Sequence, residues 1–68
     1  MDGEPAKDLD AVLRDLRHDL RSPLAVIVGF ADVIANRATL GDDERRDYAA
    51  RIGEAAGEIR DLLDDALG

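Results

Sequence analysis

The feature that most limits the fold of this chain is an apolar spacing. Leu9, Leu13, Leu16, Leu20, Leu24, Ile27, Ala31 and Ile34 follow one another only in steps of three and four. That is one helical stripe sustained over many turns, and a strand cannot produce it because strand side chains alternate with period two. A second stripe, Tyr48, Ile52, Ala55, Ile59, Leu62 and Ala66, alternates steps of four and three and is widened by Ala56, Leu63 and Leu67. It has the form of an a/d heptad seam. Between the two, Asn36-Arg37-Ala38-Thr39-Leu40-Gly41 loses the period and reads as a short connection. The spacing predicts helix 1 over about 7–37, a loop over about 38–42 and helix 2 over about 43–67. Asp42, or Gly41, is the expected cap of helix 2, with Asp43 and Glu44 near the positive end of its dipole. Residues 1–6, which include Gly3 and Pro5, are expected to form a flexible lead-in to a domain over 7–68.

Two helices of roughly 40 Å joined by so short a loop must run antiparallel, which makes the fold class all-α, a two-helix hairpin. Stability then becomes the question. A chain of 68 residues is near the lower limit for an independent core. It contains no cysteine, so disulfides and thiolate metal sites are excluded. Its single histidine argues against a dedicated zinc or iron site. A partner chain is the remaining support, and pairing two hairpins into a homodimeric four-helix bundle is the expected solution. A monomeric hairpin would leave many leucines exposed.

Charge narrows the function classes. The net charge is −7, with 37% of residues charged. Such an acidic surface argues against nucleic acid, whose binders carry a basic stripe, and against direct contact with anionic membrane. The longest apolar run, 24–34, is interrupted by Gly29 and Asp32 and is far too short to span a bilayer. The N-terminus has neither the basic nor the apolar region of a signal peptide. A cytoplasmic location is therefore expected, although the parent protein could be membrane-anchored.

The chemistry centres on His18. With Leu20 taken as the middle of the first stripe, the other stripe residues fall within about 40° of it, while His18 falls at about 160°. A core histidine is thereby excluded; an ordinary surface histidine is not. Ser22, Ala25 and Gly29 follow at four, seven and eleven residues, so they form a row of small residues beneath it. A glycine at an exposed helix position costs about 1 kcal/mol relative to alanine, and here it clears room for another molecule to approach. Val26 and Val33 lie beside the row, and Phe30 is nearer the core edge. Ala25, Val26, Gly29, Phe30 and Val33 are the candidate docking surface for a protein partner; the competing reading is a wider core stripe, shifted by a bend at Pro23. That proline removes a backbone hydrogen bond inside the helix, so a bend over about 19–23 is expected rather than a break.

At these residues the chain resembles a known family. His18-Asp19-Leu20-Arg21-Ser22-Pro23-Leu24, continued by Ala25-Val26-Ile27-Val28-Gly29-Phe30, is similar to the H-box of sensor histidine kinases. The second helix from Asp43 to Ile52 resembles its partner helix in the HisKA-type dimerisation and histidine phosphotransfer domain. The resemblance covers nearly the whole chain. It implies that His18 is the phosphoacceptor, taking the γ-phosphoryl group of ATP and passing it to an aspartate on a response-regulator receiver domain. It implies that Asp19, shorter than the commoner Glu, is the general base that orients the ring. It further implies a water-positioning role in phosphatase activity for Ser22, for which an ordinary surface serine is the alternative, and a helix kink at Pro23. The family's ATP-binding domain, with its Asn-rich and glycine-rich boxes, has no counterpart in this chain. No cofactor or metal is thus expected on the chain itself, and ATP with Mg would be supplied by a separate catalytic domain in cis or trans. A non-catalytic dimeric adaptor that binds a regulator or kinase, and a plain antiparallel coiled-coil spacer, are the alternatives. The latter would need neither Pro23 nor the small outer row.

Overall fold

The computed structural model describes residues 8–68; the lead-in expected over 1–6 lies outside them. Two helices form the described chain, α1 over Leu9–Asn36 and α2 over Asp42–Leu67. α1 starts at Asp8, whose carboxylate accepts a hydrogen bond from the Asp10 N–H at 3.1 Å. An acidic N-cap with a second aspartate in the first turn satisfies an orphan donor and favours the dipole. At the other end Asn36 Nδ2 donates to the Asp32 carbonyl at 2.9 Å and to its carboxylate at 2.7 Å. Arg37 is extended, and its N–H makes the closing bond to the Val33 carbonyl.

α2 begins one residue earlier than expected, and its cap is Gly41 rather than Asp42. Glycine has no side chain to cap with, so Glu44 reaches back and accepts the Gly41 N–H at 3.2 Å. That is one half of a capping box. Asp42 instead opens the first turn together with Asp43 and Glu44, where an acid is as favourable to the dipole as at the cap. It also receives a hydrogen bond from Arg45 at 3.1 Å. The connection is therefore 37–41.

The helices pack antiparallel. The Phe30 ring lies 5.1 Å from the Tyr48 ring, tilted by 33°, and towards the open end Leu16 and Leu62 line a common groove. The same register brings Pro23 opposite Ala55. These two are the buried residues of the described chain, Pro23 fully and Ala55 with 4% of its surface exposed. α1 runs unbroken through Pro23, whose missing N–H withdraws the usual donor from the Asp19 carbonyl.

The seam is narrower than the stripe that predicted it. Val12, Leu16, Leu20, Ile27, Phe30 and Ile34 are half-buried against Tyr48, Ile52, Ile59, Leu62 and Leu63. Leu9, Leu13 and Leu24 remain 65%, 48% and 46% exposed, and Ala31 is exposed as well, although all four belong to the apolar stripe of helix 1. The reason is geometric: two rods share one line of contact, and the line is rotated towards Val12, Pro23 and Phe30. The other edge of the stripe faces away from α2. No described helix is long and apolar enough to cross a membrane.

Candidate functional site

His18 lies on the side of α1 turned away from α2, with its side chain 84% exposed. Its Nδ1 faces the Asp19 carboxylate at 3.5 Å, the outer limit of a hydrogen bond. Adjacent helical side chains diverge by about 100°, so Asp19 meets the ring by reaching sideways along the surface. This contact has a chemical consequence. When Nδ1 carries the proton and donates it to the carboxylate, the lone pair is on Nε2. In that tautomer the lone pair of the outer ring nitrogen is open to a bulky partner.

Ser22 is exposed one turn further along, and among the described residues its hydroxyl has no hydrogen-bond partner. Arg21, at i+3 from His18, shares this face and is also exposed. Ala25, Val26, Gly29, Phe30 and Val33 together line one shallow, almost wholly apolar groove of about 380 Å³. Its character is mixed. Ala25 and Gly29 are exposed and Val26 is 38% exposed, while Phe30 and Val33 are half-buried. Phe30 thus serves two purposes, packing on Tyr48 with one face and walling the groove with the rest. A Cβ built on Gly29 would meet nothing within 4 Å, so packing within the chain does not require glycine there.

Two residues of this region are not apparent from the H-box pattern. Tyr48 fixes the Phe30 ring, and the Arg51 guanidinium stands 6.0 Å from the ring centroid. Arg51 is itself held by Asp47 at 3.2 Å. The heptad seam of α2 carries the signal for Tyr48, because an antiparallel register with the short connection sets it against Phe30. Arg51 carries none beyond being the third arginine of an acidic helix. Among the described residues no cluster of histidine and acidic side chains is arranged to hold a metal ion, and the chain has no cysteine.

The hairpin thus presents one exposed histidine with a carboxylate beside it, and comparison with known proteins gives the family. Residues 8–68 match the His Kinase A (phospho-acceptor) domain, and the chain belongs to that family. Such a domain is the phosphotransfer module of a two-component histidine kinase, whose ATP-binding catalytic domain is separate. The chain is 39% identical over 57 residues to the histidine protein kinase DivJ of Caulobacter vibrioides, which covers 81% of this chain and 9% of that protein. It is 32% identical over 57 residues to the cell-division control histidine kinase PdhS of Brucella anthropi, covering 81% of this chain and 5% of that protein. The PdhS protein of Brucella ovis matches at the same identity, with 6% of its length covered. The chain thus spans less than a tenth of the length of these curated relatives. No solved structure matches it significantly.

Proposed function

We propose that His18 is the phosphoryl acceptor of this domain, that Asp19 orients and deprotonates its ring, and that two hairpins pair to form the working unit. The observation that carries the reading is the contact of Nδ1 with the Asp19 carboxylate on an exposed imidazole. In the first step the Nε2 lone pair attacks the γ-phosphorus of ATP, held by a separate catalytic domain. A P–N bond forms, the bond to the β,γ-bridging oxygen breaks, and ADP leaves. The proton on Nδ1 passes towards Asp19, so the phosphoimidazole is not left with an extra positive charge. In the second step a receiver-domain aspartate oxygen attacks the phosphorus and the P–N bond breaks. Asp19 then returns the proton to the ring.

The groove of Ala25, Val26, Gly29, Phe30 and Val33 is the proposed seat of the receiver domain. It lies on α1 below His18, so a partner docked there would present its aspartate upward to the phosphoimidazole. Ser22 stands between the two and is placed to position water for dephosphorylation of the regulator. Pro23, which withdraws a donor from the Asp19 carbonyl, is the proposed site of bending in α1. The parent protein is taken to act in the cytoplasm, where ATP is available.

Dimerisation is supported by what the hairpin leaves uncovered. Leu13, Leu24 and Val28 are 48%, 46% and 65% exposed, and on the wheel they share an arc of about 60°. That arc is turned about 160° from Val26, so a second hairpin covering it leaves the receiver groove free. The test of the proposal is labelling with a histidine-kinase catalytic domain and ATP supplied in trans. Acid-labile phosphate should appear on the chain and be absent from His18→Ala. An intact dimer that accepts no label from any competent catalytic domain would replace this reading with the non-catalytic adaptor.

A further inference from the structure

A second groove opens between the two helices at the end of the hairpin away from the connection. Its floor is apolar, formed by Ala11, Val12 and Leu16 of α1 and by Leu62 and Ala66 of α2, and its volume is about 550 Å³. Its rim is acidic, with Asp15 and Asp19 on one bank and Asp65 on the other. Among the described residues, neither Asp15 nor Asp65 forms a salt bridge. Asp61 and Asp64 add further negative charge to the same end of α2. An incoming cation would relieve the charge gathered along the rim.

We infer that this groove is a docking site for an amphipathic helix of a second protein, with leucine-like side chains on the floor and arginines paired to Asp15, Asp19 and Asp65. Charge complementarity selects this occupant. Another copy of the chain carries a net charge of −7 and would be repelled from an acidic rim. The groove is on the same side of the hairpin as Val26 and opposite the Leu13, Leu24 and Val28 arc, so dimerisation leaves it open.

The site bears on phosphotransfer through one residue. Asp19 forms part of the rim and is also the carboxylate facing His18 Nδ1 at 3.5 Å. A guanidinium seated in the groove draws that carboxylate away from the ring, and a charged bidentate pair outcompetes a long contact to a neutral imidazole. Occupancy therefore slows phosphorylation of His18. This coupling rests on the proposed role of Asp19; the docking itself does not.

The probe is a synthetic amphipathic helix with leucines on one face and arginines along its flanks. Its controls are a twin with every arginine replaced by glutamate and an arginine-rich peptide without leucine. Titrated into the 68-residue chain, the probe should shift the amide resonances of Ala11, Val12, Leu16, Leu62 and Ala66. Neither control should do so. The double variant Asp15→Asn/Asp65→Asn, with Asp19 intact, should bind about tenfold more weakly or worse, the scale of a lost interfacial charge pair. Chemical labelling of His18 by phosphoramidate needs no catalytic domain, so its result is independent of whether the domain accepts phosphate from ATP. It should slow severalfold when the probe saturates wild type, and on the double variant the same slowing should need about tenfold more probe. Equal binding of the double variant, equal binding of the leucine-free peptide, or shifts confined to Val26 and Phe30 would each overturn the docking, whereas unaltered labelling at saturation would overturn the coupling to His18 alone.

Discussion

At the scale of single residues, the site depends on groups that do little for the stability of the hairpin. His18 and Asp19 are both well exposed, and Gly29 has nothing near its missing Cβ. Stability and phosphotransfer should therefore separate under mutation. Gly29→Ala is expected to stabilise the chain by up to about 1 kcal/mol, because alanine is the better helix former and meets no neighbour. It should nevertheless slow transfer to the receiver domain, since the added methyl group enters the groove. Thermal melts beside a transfer assay check both halves; an unchanged transfer rate would remove Gly29 from the docking surface. Asp19→Asn retains size and helix propensity but no longer accepts the ring proton. It should leave the melting temperature nearly unaltered and slow labelling of His18 by ATP severalfold or more, read as an initial rate with the catalytic domain in excess.

At the scale of elements, the two helices are set by different means. α1 is capped by its own Asp8, whereas α2 starts on a glycine and borrows Glu44. Glu44→Ala should cost about 0.5–1 kcal/mol, within the range for loss of a helix-capping contact, seen as a lower denaturant midpoint with an unchanged slope. Along the seam, Pro23 and Ala55 are the buried residues of the described chain. Ala55 has 4% of its surface exposed, so Ala55→Leu forces the helices apart. The expected cost is about 1–3 kcal/mol, as for other overpacked positions, and a neutral result would show that the helices can slide without penalty. The sequence predicts both helices to within a residue or two, because the three-four spacing of leucines is a property of each helix alone. It does not distinguish Gly41 from Asp42 as the cap, since an aspartate near the helix start is favourable at either position.

At the scale of the whole molecule, a hairpin alone is an incomplete core. Pro23 and Ala55 are its buried residues, while Leu13, Leu24 and Val28 remain about half exposed or more. In the proposed dimer a second copy would supply the missing surface, and folding would then be linked to association. The melting temperature should rise with protein concentration, and sedimentation at micromolar concentration should give a dimer. Leu24→Asp with Val28→Asp should shift the chain towards a poorly folded monomer, while Val26→Asp on the opposite side should leave the dimer intact and weaken transfer to the regulator. A well-folded, concentration-independent monomer of the unmodified chain would contradict the proposed assembly.

The sequence by itself determined the helices, the antiparallel hairpin and the outward position of His18. All three follow from local periodicity and a short connection, and they need no knowledge of which helix faces touch. Only the tertiary structure decided where the contact line runs. It rotates the seam towards Pro23 and Phe30 and leaves Leu13 and Leu24 on an open face. It sets Tyr48 and Arg51 around Phe30, and joins Asp15 and Asp19 to Asp65 across a groove. The physical reason is that a helical stripe is broader than the line along which two rods can meet. Periodicity fixes the stripe, but the packing of one helix on the other, with Pro23 and Ala55 buried and Phe30 on Tyr48, selects which part of it is used.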